Sequence, residues 1–118
     1  MDIPRATESE ALLRFAALSQ ETRLRIVRLL VIAGENGLPA GALADLLAAS
    51  APRLSFHLAH LEHAGLVQSR RDGRSIIYSV QYPALAALSE FLIHDCCRGF
   101  APSETDKETA DVHCPPCD

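Results

Sequence analysis

The segment "LVQSRRDGRSIIYSV", residues 66–80, limits the fold of this chain more than any other. Val67, Ile77 and Tyr78 belong to β-prone runs on either side of Asp72-Gly73. An Asp-Gly pair between such runs is a strong signal for a tight hairpin, so two antiparallel strands are predicted here. The rest of residues 1–100 has helical spacing, and the hairpin is therefore expected to project from a small helical body.

Three helices are predicted in the first half of the chain. Apolar spacing predicts the first near residues 7–18, with Leu12 and Phe15 on its apolar side, and the second ends at Gly34. The second helix is expected to bury Leu24, Val27, Leu30 and Val31 and to keep Arg23, Arg25 and Arg28 largely away from that stripe. A short third helix begins at Pro39 and is expected to bring together Leu43, Leu46 and Leu47.

A fourth helix precedes the hairpin and a fifth follows it. Ser50 is expected to cap the fourth helix, which tolerates Pro52 in its first turn and ends at Gly65. Its apolar residues recur at i, i+4 and i+7, and they are Leu54, Leu58 and Leu61. The last helix begins at Pro83 and ends by Gly99, and its stripe consists of Leu85, Leu88 and Leu92.

Size and charge indicate one folded domain with an acidic tail. A chain of 118 residues forms one core, placed at residues 1–100, and we expect residues 101–118 to be a flexible tail. The five acidic residues and one lysine of the tail account for the whole net charge of −4. No apolar stretch approaches the roughly 20 residues that span a bilayer, and the N-terminus lacks a leader pattern. A cytoplasmic protein without membrane contact is therefore expected.

The predicted element order is typical of a winged helix-turn-helix, an α+β but mainly α fold with five helices and a two-stranded wing. The fourth helix would enter the major groove of double-stranded DNA. Its predicted outward residues are Arg53, Ser55, Phe56, His57 and His60, and the wing carries Arg70, Arg71 and Arg74. Phe56 either contacts a thymine methyl or folds back onto the domain. The alternative interpretation of the whole segment is a small helical domain with a solvated hairpin.

The runs "LSQETRLRIVRLL" and "SAPRLSFHLAHLEHAGLVQSRRDGRSIIYSV" closely resemble the ArsR/SmtB family of bacterial metal-responsive repressors over roughly residues 8–98. The resemblance implies a homodimer formed by the first and last helices, which releases operator DNA when an inducer binds. It also implies DNA contacts by Ser50, Arg53, Ser55 and His57 on the fourth helix and by Arg70, Arg71 and Arg74 on the wing.

The chain departs from two known sensing patterns of that family. Its third helix, "GALADLLAAS", has no cysteine, so the Cys-x-Cys type of arsenic site in that helix is absent. The last helix, ending "FLIHDCC", matches the family's zinc pattern of Asp and His pairs poorly. It is more similar to members with adjacent cysteines at the end of the last helix and another downstream, which respond to trivalent arsenic.

The four cysteines lie in the last quarter of the chain, as Cys96 and Cys97 and then Cys114 and Cys117. In a reducing cytosol such cysteines are more often metal-binding or redox-active than structural. Trivalent arsenic is soft and suits three thiolates, two from the adjacent pair and one from the tail. The 16 residues between Cys97 and Cys114 span roughly 20 Å on average if they are flexible, so a tail cysteine can reach the adjacent pair.

Other interpretations of the thiols remain open at this point. Cys96 continues the apolar stripe of the last helix and is alternatively a buried interface residue. All four thiols suit a tetrahedral zinc site, the Cys-x-x-Cys suits a redox pair, and His94 or His113 can replace a thiolate for a borderline metal.

The sequence therefore predicts a homodimeric repressor that leaves its operator when arsenite binds Cys96, Cys97 and a tail cysteine, with antimonite as a further inducer. The alternative is a sensor of zinc, cadmium, lead or thiol oxidants on the same fold. A thiol-disulfide enzyme is disfavoured because no βαβ pattern precedes "CPPC".

Overall fold

The computed structural model describes residues 6–97 and 99–100. The predicted order of four helices, a hairpin and a fifth helix is confirmed. The helices are α1 (Glu8–Leu18), α2 (Glu21–Ala33), α3 (Ala40–Leu47), α4 (Ala51–His63) and α5 (Tyr82–Ile93). The strands are β1 (Leu38–Pro39), β2 (Val67–Asp72) and β3 (Ser75–Val80), and a 3₁₀ turn (Gly34–Asn36) follows α2. None of the described helices combines the length and apolarity needed to cross a bilayer.

Side-chain caps fix where three of the helices begin, and the cap of α2 is the Gln20 side chain, which accepts from the Arg23 N–H at 2.8 Å. Thr7 and Glu10 form a capping box at the start of α1, in which the Thr7 hydroxyl accepts from the Glu10 N–H at 3.1 Å. The Ser50 hydroxyl accepts from the Arg53 N–H at 3.4 Å, so the predicted cap of α4 is confirmed. Pro52 occupies the first turn of α4, where its missing N–H costs no hydrogen bond.

The main core forms where α2, α3 and α4 meet the base of the hairpin. The predicted apolar stripe of α4 is confirmed, since Leu54, Leu58 and Leu61 are each at most 2% exposed. The largest fully buried side chains are Ile26, Leu30, Leu43, Leu58, Leu61, Leu66 and Val67. Burying a leucine or isoleucine of this kind stabilises the fold by about 1.5–3 kcal/mol.

Helix α2 is rotated relative to the sequence prediction. Leu24 and Val31 are 46% and 43% exposed, whereas Arg23 is only 9% exposed. The buried stripe of α2 runs through Arg23, Ile26, Val27 and Leu30. Assigning Arg23 to the surface was wrong because its guanidinium finds hydrogen-bond acceptors inside the fold. On α3, the prediction for Leu46 was also wrong, since it is 61% exposed.

The three strands form an antiparallel sheet in the order β1-β3-β2. β2 and β3 pair from Val67 with Val80 to Asp72 with Ser75, so the two-residue loop is Gly73-Arg74. The predicted hairpin is confirmed, with its turn one residue later than Asp72-Gly73. Gly73 has a φ of +63°, a conformation that glycine adopts without steric cost.

Strand β1 was not predicted from the sequence. Leu38 pairs with Tyr78, and the residue before it, Gly37, has a φ of +71°. A Cβ atom on Gly37 would lie 2.2 Å from the Tyr78 carbonyl oxygen. Only glycine therefore lets the chain approach β3 closely enough at this position.

Helices α1 and α5 pack on each other through a second apolar cluster. Ala11, Ala87 and Leu88 are buried there, and Phe15 and Phe91 pack against them. The same two helices also carry exposed apolar side chains, which are Leu12, Leu13, Leu92 and Ile93. Leu12 and Leu92 are the most exposed of these, at 64% and 65%. The predicted apolar residues of both helices are therefore divided between an internal cluster and an exposed surface.

Candidate nucleic-acid interface and thiol site

The turn between α3 and α4 has the compact geometry of a helix-turn-helix. Ala48 ends α3 in the left-handed conformation with a φ of +53°, and its N–H donates to the last turn of α3. The Ala49 N–H donates to the Ala44 carbonyl at 3.1 Å, and Ser50 then caps α4. Because two residues separate the end of α3 from the cap of α4, the relative direction of the helices is set locally.

Helix α4 presents a polar and aromatic face to the surface. Ser50, Arg53, Ser55 and Phe56 are all exposed. Phe56 is 65% exposed, so the alternative in which its ring folds back onto the domain is wrong. The Phe56 ring meets the His57 and His60 rings edge-on, at centroid distances of 5.4 and 6.4 Å. Side chains of these kinds on a helix reach phosphates, base edges and thymine methyls in the major groove.

His57 does not belong to that face, and its assignment as an outward residue was wrong. Its side chain is 7% exposed, and its Nδ1 accepts a hydrogen bond from Arg23 Nη1 at 3.2 Å. Burial lowers the pKa of His57, and the positive charges of Arg23 and Arg53 lower it further. The imidazole is therefore held neutral, with its remaining proton on Nε2.

The three arginines of the wing are exposed but have different surroundings. Arg71 pairs with Ile76, which is exposed, whereas Arg70 pairs with the buried Ile77. Arg70 accordingly faces the body of the protein, where its Nη2 donates to the Asn36 carbonyl at 2.9 Å. Within the described residues, no hydrogen bond or ion pair engages the side chains of Arg71 and Arg74.

A small polar cavity beside the helix-turn-helix adds residues that the sequence analysis missed. It measures about 210 Å³ and is lined in part by Thr22 and Arg25 of α2 and by Arg53 of α4. Glu21 also lines it and binds Arg25 through an ion pair of 2.6 Å. Only the exposure of Arg25 at the start of α2 could have pointed to this position from the sequence.

The adjacent cysteines lie beyond the end of α5, in the turn 94–97. The Cys96 N–H donates to the Ile93 carbonyl at 2.9 Å, and Cys97 adopts a φ of +68°. The two Sγ atoms are 3.3 Å apart. Two sulfurs bound at about 2.3 Å to one ion stand about 3.3–3.8 Å apart for angles of about 90–110° at the ion. The separation of the pair therefore fits two ligands of one thiophilic ion.

The remaining predicted ligands are not tested by the structure. Cys114 and Cys117 lie outside the described residues, as does His113. Among residues 6–97 and 99–100, no three His, Cys, Asp or Glu side chains form a group that could hold a metal ion. His94 Nδ1 lies 3.8 Å from a carboxylate oxygen of Glu90 on the preceding turn. A three-coordinate site built on Cys96 and Cys97 would therefore need at least one ligand from outside the described residues.

Comparison with known proteins identifies the fold and its family. A helix-turn-helix domain model matches residues 18–70. An ArsR-like transcriptional regulator from Rhodococcus sp. RHA1 has a similar structure, with a TM-score of 0.66 and 32% identity over 88% of this chain and 90% of that chain. This chain belongs to the ArsR/SmtB family of winged-helix transcriptional regulators. The HTH-type transcriptional regulator YgaV from Escherichia coli K12 is 37% identical over 83 residues, covering 70% of this chain and 80% of its own length.

Other relatives of this chain are named for different responses. Reduced HlyU from Vibrio cholerae shares 31% identity at a TM-score of 0.59, over 73% of this chain and 86% of its own. Further relatives are named for resistance to arsenic, mercury and cadmium. A winged-helix domain from Mycobacterium bovis, 26% identical at a TM-score of 0.56, is described as homodimeric. The family membership makes this chain a transcriptional regulator.

Proposed function

We propose that this regulator is a homodimeric repressor that binds operator DNA through α4 and the wing and releases it when trivalent arsenic binds its C-terminal thiolates. Cys96 and Cys97 are the indispensable ligands, and Cys114 or Cys117 supplies the third sulfur. Antimonite, which is chemically similar, is expected to act in the same way. The separation of 3.3 Å between the two sulfurs is the observation that carries the proposal.

The DNA-binding part rests on the family and on the exposed face of α4. Arg53, Ser55 and Phe56 are exposed on this helix, while Arg71 and Arg74 extend from the hairpin. Guanidinium groups bind phosphates and guanine edges, and a serine hydroxyl and a phenyl ring suit base edges and thymine methyls. Two such surfaces related by a dimer axis would read two half-sites about one turn of DNA apart.

The dimer is supported by the exposed apolar residues of α1 and α5. Leu12 and Leu92 each expose more than 60% of their surface although both helices belong to a packed core. Exposed leucines on two helices that pack on each other are unfavourable in water and favour an interaction site there. A second copy of the chain would cover it, as the homodimeric relative from Mycobacterium bovis suggests.

The arsenic part is supported by the chemistry of the ligands and by relatives named for arsenic resistance. Trivalent arsenic is soft and binds thiolates in a three-coordinate arrangement. Cys96 and Cys97 are half-buried rather than sequestered in the core, and Cys97, which is disulfide-bonded here, can bind an ion once it is reduced. Because binding of the ion and of DNA are linked, the ion must bind more tightly to the free dimer than to the DNA complex.

The decisive experiment is a titration of the DNA complex, followed by fluorescence anisotropy under reducing conditions. The duplex is one that the wild type selects from a random pool. Arsenite should release it from the wild type, and Cys96→Ser and Cys97→Ser should bind DNA normally but resist release. Ser89→Ala, an exposed change on α5, is the matched control and should respond like the wild type.

The tail is tested with the double variant Cys114→Ser, Cys117→Ser. Loss of one thiolate should raise the arsenite needed for release about tenfold, which corresponds to about 1.4 kcal/mol. An unchanged response of this double variant would remove the tail from the site. Normal release from Cys97→Ser would refute the proposed ligand set altogether.

A second candidate is a sensor of another thiophilic ion or of thiol oxidants. It is supported by relatives named for cadmium and mercury resistance and by a relative whose structure is described as reduced. The same titration with cadmium, zinc and hydrogen peroxide separates the two. Release by peroxide without release by arsenite would favour the oxidant sensor.

A further inference from the structure

Arg23 connects three helices although its position in the sequence suggests a surface residue. Its backbone N–H donates to the Gln20 side chain at 2.8 Å, and its Nε donates to the Ala17 carbonyl in α1 at 2.7 Å. Its Nη1 donates to His57 in the middle of α4 at 3.2 Å. The guanidinium of Arg23, near the start of α2, thus joins the end of α1 to α4.

The contact with His57 continues to the surface that faces DNA. His57 meets the exposed Phe56 ring edge-on, with ring centroids 5.4 Å apart. Phe56 in turn meets His60, one helical turn along, at 6.4 Å. A rotation of α4 that broke the bond between Arg23 and His57 would therefore also move the Phe56 ring and its neighbour Ser55.

We propose that Arg23 is a positioning residue for operator recognition, which sets the rotation of α4 through its hydrogen bond to His57 and thereby the placement of Ser55 and Phe56 against base edges. The inference rests on the DNA interface proposed above. It assigns Arg23 no contact with DNA, since its side chain is buried. What it controls is the preference for the operator over other sequences, because base contacts specify whereas phosphate contacts do not.

The geometry requires a neutral imidazole at position 57. Nδ1 can accept from Arg23 only when it carries no proton, and an arginine is always charged. The charged and titratable groups that act on His57 are Arg23 from α2 and Arg53 and His60 from α4 itself, while α1 contributes the Ala17 carbonyl to Arg23. Protonating His57 would place a second cation against Arg23 and break their bond.

The test compares affinity for the selected duplex with affinity for a scrambled duplex, so that general electrostatic effects cancel. Arg23→Lys keeps the charge but cannot bond Ala17 and His57 through a fork, and it should lower the ratio of the two affinities at least tenfold. Affinity for the scrambled duplex should stay within about twofold. Thermal unfolding followed by circular dichroism establishes that the variant is folded at the assay temperature.

Variants of His57 provide the second arm. The Asn in His57→Asn places an acceptor near the position of Nδ1 and does not titrate, so it should preserve much of the ratio, whereas His57→Leu should lose it. As the pH falls below 6.5 and His57 becomes protonated, the wild-type ratio should fall, while that of His57→Asn should stay flat. His63→Asn, an exposed change on the same helix, is the matched control and should retain the wild-type pH profile.

The outcomes separate this inference from the proposed function. If the wild type does not prefer its selected duplex, the DNA interface is wrong and the inference falls with it. If the wild type discriminates but Arg23→Lys and His57→Leu discriminate equally well, only the positioning role is overturned. A nitrogen-15 spectrum of the wild-type imidazoles that shows a proton on Nδ1 of His57 would overturn it even where a variant fails to fold.

Discussion

Replacing Arg71 with alanine should reduce the salt dependence of DNA binding more than replacing Arg70. Both residues are exposed and adjacent on β2, but they lie on opposite faces of the hairpin. Arg70 is directed toward the body and is engaged by the Asn36 carbonyl at 2.9 Å, beside a cavity of about 440 Å³. Arg71 is directed away from the body and carries no such bond within the described residues.

The size of the effect follows from counterion release. Each phosphate contact contributes a slope of about −0.9 to the dependence of log K on log salt, so one contact from each protomer contributes about −1.8. Between about 50 and 200 mM salt, a slope of this size corresponds to about a 12-fold change in affinity. Over this range of salt, the factor by which the affinity of Arg71→Ala for DNA falls should therefore be about 12 times smaller than the factor for the wild type.

The assay is fluorescence anisotropy with a labelled duplex at four or more potassium chloride concentrations. Arg70→Ala is the matched control, since it removes the same charge from the same strand and should change the slope by less than half as much. Equal slopes for Arg71→Ala and the wild type would exclude Arg71 from the footprint. Equal reductions in both variants would show that the face of the strand does not matter and would refute the structural reasoning.

Three further predictions concern assembly and stability. Leu92→Asp should give a monomer in analytical ultracentrifugation and lose operator binding, whereas Leu46→Asp, equally exposed on α3, should remain a dimer; a dimeric Leu92→Asp would place the interface elsewhere. In urea unfolding, Gly37→Ala should lower the free energy of unfolding by at least about 1–2 kcal/mol, because the backbone at this position is left-handed. Gly41→Ala, in open space within α3, should leave that free energy unchanged or raise it. Equal effects of the two changes would contradict the close approach of Gly37 to β3. Folding lowers the pKa of His57, so the unfolded state binds more protons than the folded state at low pH. The stability that the neutral His57 contributes is therefore complete above pH 6.5 and is lost as the pH falls below that value. His57→Asn should flatten this part of the curve of unfolding free energy against pH, and an unchanged slope would exclude His57 as its source.

The elements that could be predicted are those whose signal is local. Leu54, Leu58 and Leu61 follow a period of 3.6 residues, and Ser50 lies where a cap is needed, so α4 is evident from its sequence. The hairpin is evident because glycine and β-prone residues occur together. Strand β1 could not be predicted because it has two residues, one of them a proline, and it forms only when Gly37 lets it reach β3.

The interior of the candidate site could not be predicted because it depends on partners far away in the sequence. Arg23 occupies a core position only because Ala17 and His57 supply acceptors, and a periodicity argument assigns any arginine to the surface. His57 was wrongly assigned to the surface for the same reason, because its side chain is buried and hydrogen-bonded to Arg23. Its neighbours Ser55 and Phe56 are exposed, as predicted. Polar residues can thus be assigned to the interior only when the fold shows which hydrogen-bond partners surround them.

The proximity of the two thiols depends on the backbone more than on the residue types. Successive side chains on a helix point about 100° apart, which would separate adjacent cysteines within α5. Here the helix ends at Ile93 and Cys97 takes a positive φ, which brings the sulfurs to 3.3 Å. Cys96 therefore lies beyond the helix and does not continue its apolar stripe, contrary to the alternative interpretation of this residue.

The proposed thiol site follows the end of α5, the proposed DNA-binding surface lies on α4, and both helices pack on α1. Helix α5 contacts α1 through the cluster around Ala11 and Leu88, and α4 is bonded to α1 at two places. Arg14 Nε donates to the Ala64 carbonyl at the end of α4 at 3.0 Å, and Arg23 links the Ala17 carbonyl to His57. Hydrogen bonds of this length weaken steeply when their geometry is disturbed, whereas apolar contacts tolerate small shifts. These two arginines therefore link α4 by directional hydrogen bonds to the helix on which α5 packs.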